Sequence, residues 1–252
     1  MSRIALVTGA TAGIGHATAL KMAENGWDVI ITGRRSERLE SVKEAIEKNY
    51  NKQAYILSFD IREKHEVFEA IDSLPDEWKN IQILVNNAGL AVGLSHIQNG
   101  ETDDWERMID TNVKGLLYIT RKIAPMMVEK GQGHILNVAS IAGHEVYENG
   151  NVYCATKHAV EALSKAMRID MLKDKIKVTN ISPGMVETEF SLVRFKGDED
   201  KAKKAYKGFT PLTGDDVAEV ILFAVNQPKH VNLNNIEITA TDQANSFYKD
   251  VR

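Results

Sequence analysis

Tyr153 and Lys157 are the two residues whose types and spacing most directly suggest chemistry. They stand four apart in Tyr153-Cys154-Ala155-Thr156-Lys157, so on a helix the phenol and the ammonium share one face. A free phenol, with a pKa of about 10, is a poor base near neutral pH. A cation beside it stabilises the phenolate and brings that pKa toward the working range. The pair would then move a proton to or from an alcohol oxygen. Tyr and Lys recur at this spacing on many exposed helices, so context decides. Ser140 closes the apolar run Asn137-Val138-Ala139-Ser140. If that run is a strand of a parallel sheet, Ser140 lies at the edge where ligands bind, and its hydroxyl would hold a substrate oxygen beside the tyrosine.

A second constellation would bind a dinucleotide. An apolar run over residues 4–8 leads into Thr8-Gly9-Ala10-Thr11-Ala12-Gly13-Ile14-Gly15, and a helical pattern follows. Glycines there allow a tight turn, close approach of backbone to a pyrophosphate, and close packing of helix on sheet. The helix N-terminus presents free N–H groups and partial positive charge to the phosphates. A plain glycine loop would not need to fall between the first strand and the first helix. The next strand ends Thr32-Gly33-Arg34-Arg35-Ser36. A carboxylate at that place would select NAD by binding the ribose 2′-OH. Two guanidiniums stand there instead, suited to a 2′-phosphate, so the expected cofactor is NADP. The alternative is that Arg34 and Arg35 are a surface pair near a helix start. Asn86-Asn87-Ala88-Gly89, after a further strand, has the small residues that let backbone approach a cofactor.

The elements that must position these groups alternate along the chain. Apolar, β-branched runs at residues 4–8, 29–32, 54–59, 83–85, 134–138, 177–181 and 236–239 alternate with helical periodicity over 14–24, 36–48, 64–73, 105–128, 152–172 and 215–225. Strand alternating with helix implies a parallel sheet covered on both faces. The expectation is a single α/β, Rossmann-like, doubly wound domain over residues 1–252, with a seven-stranded parallel sheet. No linker or repeat divides it. Pro211-Leu212-Thr213-Gly214-Asp215 offers a turn and an N-cap before the last helix.

Composition is ordinary for a globular protein, with 43% hydrophobic and 26% charged residues. A net charge of -4 argues against a nucleic-acid partner. The lysines of residues 201–207 follow Asp198, Glu199 and Asp200 and read as a solvated helix face. No apolar run reaches the length of a membrane span, no His or Cys spacing suggests a metal, and the start turns glycine-rich too early for a signal peptide. With the single Cys154, a cytoplasmic enzyme is expected.

Taken together and in order, these motifs resemble the short-chain dehydrogenase/reductase family over essentially the whole length. The matching residues are the Thr8 to Gly15 loop, Asp60, Asn86 to Gly89, Asn112, Ser140, Tyr153 with Lys157, and Pro183-Gly184 followed by Thr188. The resemblance implies a catalytic tetrad of Asn112, Ser140, Tyr153 and Lys157. In it Tyr153 exchanges the proton and Ser140 orients the substrate oxygen. Lys157 binds the nicotinamide ribose and lowers the tyrosine pKa, and Asn112 holds a water linking the lysine to solvent. It implies cofactor contacts from Gly9, Thr11, Gly13, Ile14, Gly15, Arg34, Arg35, Asp60, Asn87, Ala88, Gly89, Pro183, Gly184, Val186 and Thr188. It also implies a homotetramer built on the two long helices and the last strand.

Thr188-Glu189-Phe190-Ser191-Leu192-Val193-Arg194-Phe195-Lys196-Gly197-Asp198, with Leu74 to Trp78 and Met108 to Asn112, is similar to the NADP-dependent 3-hydroxy acid dehydrogenases. That group oxidises serine and L-allo-threonine and reduces malonic semialdehyde. Residues 185–210 would form the substrate loop. A 3-hydroxy acid needs a carboxylate partner, for which Arg194 is the candidate and Lys196 the second choice. The opposing reading pairs Arg194 with Glu189 or Asp198. His144 and Tyr147 are further candidates for the pocket wall, whereas Cys154, His134 and the tryptophans read as packing residues. The rival functions are a carbonyl reductase of neutral ketones or aldehydes, a non-catalytic NADP-binding regulator, and a sugar-nucleotide epimerase. The intact tetrad opposes the regulator, and the chain lacks room for an epimerase's substrate subdomain. The tail, residues 241–252, carries Phe247 and Tyr248 and is expected to pack on a neighbouring subunit.

Overall fold

The computed structural model describes residues 3–251; Met1, Ser2 and Arg252, at the ends of the expected domain and tail, lie outside the described residues. Seven parallel strands form one sheet in the order β3-β2-β1-β4-β5-β6-β7. They are β1 (Ile4–Val7), β2 (Asp28–Gly33), β3 (Ala54–Ser58), β4 (Ile81–Asn86), β5 (His134–Val138), β6 (Lys177–Pro183) and β7 (Asn235–Ile238). The helices are α1 (Gly13–Glu24), α2 (Ser36–Tyr50), α3 (Lys64–Asp72), α4 (Thr102–Ile109), α5 (Leu116–Lys130), α6 (Asn151–Asp170), α7 (Phe190–Arg194), α8 (Glu199–Lys204) and α9 (Gly214–Val225).

The alternation of side chains along each strand splits the core into two layers. Ile4 and Leu6 of β1 face one layer with Ile119 and Ile123 of α5 and Val160 of α6. Ala5 and Val7 face the other, with Met22 of α1, Ile46 of α2 and Ile221 of α9. Strands apolar on both faces are therefore read as continuous runs. The strand order reverses between β1 and β4, and the crevice at their C-terminal ends is where such a sheet binds ligands.

Four asparagines cross the sheet in register. Asn86, Asn137, Asn180 and Asn235 are paired neighbours on β4, β5, β6 and β7. Asn86 donates to the Asn137 Oδ1 at 2.9 Å, and Asn180 donates to the Asn235 Oδ1 at 2.7 Å. Asn137 donates to the Ser164 hydroxyl of α6 at 2.8 Å. A slip in register would strand the buried amides of Asn86, Asn137 and Asn180 without partners, at about 1–3 kcal/mol each.

The expected long helix over residues 105–128 begins earlier, at Thr102, and is interrupted. Between α4 and α5 the chain makes a π-helical stretch, Asp110–Gly115. Gly115 there packs against Ile61, with space for a Cβ only at 3.0 Å from that side chain. The widened turn leaves Asn112 buried, consistent with the tendency of π-bulges to mark functional positions. The lysine-rich stretch is helical only as far as Lys204, with Asp198 capping α8 by accepting from the Lys201 N–H at 3.0 Å. Thr213 and Asp216 form a reciprocal capping box at the start of α9.

Candidate active site

A cavity of about 360 Å³ opens along the C-terminal ends of β1 and β4. Its floor is the loop from Gly9 to Gly15. Gly9 (φ 69°) and Gly13 (φ 55°) occupy the left-handed region, and a Cβ on Gly15 would collide with the Gly9 carbonyl oxygen. The N-cap of α1, Ala12, provides no side-chain cap, and no acidic residue stands in the first turn. Its N–H groups are thus left to an external anion. Thr8 ties this loop to its neighbour, accepting at Oγ1 from the N–H groups of Asn87 and Ala88, both at 3.0 Å. Asn87 returns a bond from Nδ2 to the Thr8 carbonyl at 2.9 Å. The cradle, the uncapped helix start and the absence of a Cβ at Gly15 fit a dinucleotide pyrophosphate. Ile14, Ala88, Gly89, Pro183, Gly184, Val186 and Thr188 line the same cavity.

At one end stand the basic residues. Arg34 is exposed, with its nearest acid, Asp60, 3.5 Å away. Asp60 is held mainly by Arg62, at 2.6 Å; burial alone would raise its pKa, but these hydrogen bonds lower it. Arg35 donates to the Thr11 hydroxyl at 2.6 Å and to Glu189 at 2.9 Å. Arg38, one turn along α2, meets the other oxygen of Glu189 at 2.7 Å.

At the other end the reactive groups converge. Ser140 leaves β5 with its hydroxyl accepting from the Ala142 N–H at 3.1 Å. Tyr153 and Lys157 stand on the buried face of α6. Lys157 donates to the Val138 carbonyl at 2.9 Å, and burial lowers its pKa to about 8. Burial raises the Tyr153 pKa, while Arg194 and a hydrogen bond with Ser140 pull it back. Asn112 reaches the same place from the π turn. It accepts from the Leu90 N–H and donates to the Leu90 carbonyl, both at 2.8 Å, and donates to Thr156 at 3.0 Å. Both its amide groups are thus engaged in clamping the segment after Gly89 to α6. The expected tetrad is brought together.

Arg194 ends α7 over the aromatic rings. Its guanidinium carbon is 4.9 Å from the Tyr153 ring centre and 5.0 Å from that of Phe190, and it donates to the Tyr147 hydroxyl at 2.9 Å. Its buried Nε has no partner. Neither expected acid pairs with it: Glu189 holds Arg35 and Arg38, and Asp198 holds Lys201. Lys196 is drawn away to the buried Asp104 at 2.7 Å, which removes it as a substrate candidate. His144 is likewise turned from the cleft, between Glu161 at 2.7 Å and Ser182 at 3.1 Å. Tyr147 lines a small cavity with Tyr153 and Arg194.

Three participants escaped the sequence reading. Phe190 lines the cleft and packs edge-on against Tyr153. Gln243 is buried and accepts at Oε1 from the Met185 N–H at 2.8 Å, tying the tail to the loop after β6. Glu189, expected as a partner of Arg194, instead pairs with Arg35 and Arg38. No local pattern marks any of them, since the contacts that bring them to the site, Phe190 to Tyr153, Gln243 to Met185 and Glu189 to Arg35 and Arg38, are with distant segments; only the unusual placing of a Gln in a polar tail hints at the second.

The doubly wound sheet, the glycine cradle and the Ser-Tyr-Lys cluster together define a class. The sequence profile of the family described as short chain dehydrogenase matches residues 3–198, and the chain belongs to that family. Among its relatives, the NADP-dependent 3-hydroxy acid dehydrogenase of Salmonella typhi is 46% identical over 242 residues, 96% of each chain. Serine 3-dehydrogenase of Rhizobium radiobacter is 41% identical, covering 97% of this chain and 96% of its own. The closed form of a serine dehydrogenase complexed with NADP+ superposes with a TM-score of 0.92 at 45% identity over 99% of both chains. Among the described residues no cluster of metal-binding side chains occurs, and no helix is long and apolar enough to cross a membrane.

Proposed function

We propose that this protein is an NADP-dependent dehydrogenase of small 3-hydroxy acids of the serine, L-allo-threonine and 3-hydroxypropionate class, acting on the hydroxyl or on the corresponding carbonyl. The observation that carries the substrate is Arg194, a cation beside Tyr153 with a buried Nε that has no partner, and with no acidic partner, among the described residues. A carboxylate placed there would satisfy it, and fork geometry would orient the neighbouring hydroxyl-bearing carbon. The names of the relatives point to the same substrates.

NADP when bound supplies or accepts the hydride. Gly9, Thr11, Gly13, Ile14 and Gly15 would hold its pyrophosphate, Arg34 and Arg35 its 2′-phosphate, and Asp60 its adenine side. Asn87, Ala88, Gly89, Pro183, Gly184, Val186 and Thr188 would wall the nicotinamide side. In carbonyl reduction the Tyr153 hydroxyl gives its proton to the substrate oxygen, and in alcohol oxidation the phenolate takes it back. Ser140 holds the same oxygen. Lys157 would bind the nicotinamide ribose. Asn112 keeps the Leu90 segment and α6 at fixed separation, so that Lys157 and Gly89 stay opposed. Residues 185–210 close over the site as a lid, and residues 241–252 brace it through Gln243.

The assembly is a homotetramer in the cytoplasm. Exposed apolar side chains at Ile109 and Leu117 on the α4–α5 side and at Ile169 beside the end of α6 support subunit contacts there, and the buried, unbridged Cys154 is in keeping with a reducing compartment.

The test follows nicotinamide absorbance with NADP or NAD against L-serine, L-allo-threonine, 3-hydroxypropionate and 3-hydroxyisobutyrate, with a neutral secondary alcohol beside them. Turnover of the acids with NADP is expected. Activity confined to the neutral alcohol would leave the proton-transfer chemistry in place and discard the role of Arg194. A preference for NAD would overturn the role of Arg34 and Arg35.

A further inference from the structure

Glu189 is the one acid that reaches the basic end of the cleft from the lid. Its two carboxylate oxygens meet Arg35 at 2.9 Å and Arg38 at 2.7 Å. It lines the cavity together with Arg34, Arg35 and Thr11. Arg35 is thereby divided: its Nε and Nη2 donate to Thr11, and its Nη1 donates to Glu189. The pairing joins segments 154 positions apart in sequence, and both guanidiniums hold the Glu189 pKa below its ordinary value. Glu189 is also the N-cap residue of α7, whose last residue is Arg194. The N-cap of this short helix thus meets the adenosine end of the cleft, while its last residue stacks over the Tyr153 ring.

We propose that Glu189 is a specificity-determining residue: its carboxylate occupies Arg35 as an internal anion that the 2′-phosphate of NADP displaces and that a cofactor without this phosphate leaves in place. This inference rests on the reading that Arg34 and Arg35 receive the 2′-phosphate. A dianion brought to Arg35 meets a carboxylate already bonded to the same guanidinium, and two anions cannot share it without repulsion. Arg38 gives the carboxylate a second partner to which it moves. Displacement thereby detaches the N-cap of α7 from Arg35 whenever the phosphorylated cofactor is loaded, while NAD leaves it tied down. The competing contact thus sets how far NADP is preferred over NAD, narrowing a preference that the arginines alone would make wider. The cost of the competitor is lower absolute affinity for NADP.

The experiment measures binding by calorimetry to the whole protein, using 2′,5′-ADP and 5′-AMP as probes of the adenosine end alone. In the unaltered protein 2′,5′-ADP must bind the more tightly; if it does not, the placement of the 2′-phosphate fails and the inference with it. Given that preference, Glu189→Gln is expected to tighten 2′,5′-ADP roughly three- to tenfold at low salt and to leave 5′-AMP within twofold. The gain should shrink as salt rises and should vanish when Arg35→Ala is added. Weaker binding of 2′,5′-ADP to Glu189→Gln would show that the carboxylate organises the arginines rather than competing for them, and would overturn the proposal. So would an equal change in both probes. The carboxylate is about half exposed, and a thermal melt checks that the variant folds.

Discussion

The guanidinium carbon of Arg194 lies 4.9 Å from the ring centre of Tyr153, nearer than the Lys157 ammonium at 5.9 Å. Arg194 also pulls the Tyr153 pKa down against burial. One cation therefore bears on the acid/base and, in the proposed function, on the substrate carboxylate. Arg194→Met is expected to raise KM for 3-hydroxy acids roughly 10- to 100-fold, the worth of a charged hydrogen bond. KM for a neutral aldehyde should hardly change. With the cation gone the Tyr153 pKa rises, so the rise of alcohol oxidation with pH moves to higher pH. Equal losses of KM on both substrates would remove Arg194 from carboxylate binding.

Tyr153→Phe keeps the ring that packs on Phe190 and removes only the hydroxyl that carries the proton. Turnover should fall by about 10²–10⁴-fold, the usual contribution of a positioned acid/base. Binding of NADPH, followed by its fluorescence, should be nearly unchanged. Retained turnover would mean that another group moves the proton.

His134 gives the fold a pH dependence away from the active site. Its ring accepts or donates at Nε2 with Thr179 at 2.7 Å, and its Nδ1 is buried without a partner. Burial, with Lys177 nearby, lowers its pKa from 6.5 to about 3. The folded state refuses a proton that the unfolded chain accepts below pH 6.5, so stability is full above that pH and declines as pH falls toward 3. Between pH 7 and pH 5 the loss from this group should be about 2 kcal/mol by denaturant titration. His134→Asn should flatten that difference; an unchanged slope would assign it to other groups.

The asparagine row predicts a cost far from any ligand. Asn137 accepts from Asn86 and donates to Ser164, so Asn137→Ala leaves a cavity and unpaired polar atoms on both sides. A loss of about 2–4 kcal/mol is expected from denaturant unfolding. A loss below 1 kcal/mol would show that water or the neighbours replace its bonds.

Much of this protein is legible in its sequence because the relevant physics is local. Strand runs are apolar and β-branched, so all seven strands are recognisable, with ends displaced by a residue or two. The glycine loop declares itself because only glycine permits the positive φ at Gly9 and Gly13 and the close approach at Gly15. Tyr153 and Lys157 share a helix face by spacing alone, and Ser140 is placed by the end of β5. The π turn at Asp110–Gly115 is not legible, because the periodicity of residues 105–128 passes through it and its close neighbour, Ile61 against Gly115, comes from a distant segment. Neither α7 nor its short period was visible in five residues.

The sequence by itself determined the strand and helix pattern, the cofactor cradle and the shared helix face of Tyr153 and Lys157, since each follows from backbone limits, side-chain periodicity or spacing within one element; Asn112 and the tetrad as a set are implied only by the family resemblance. Tertiary structure alone decided which charges meet. Glu189 is one residue from Thr188 in sequence, yet it bonds to Arg35 and Arg38 across the cleft. Lys196, two residues from Arg194, goes to Asp104, while Arg194 is left beside Tyr153 with no acid among the described residues. Long side chains choose among partners by distance and burial, and these are set only when distant segments have packed.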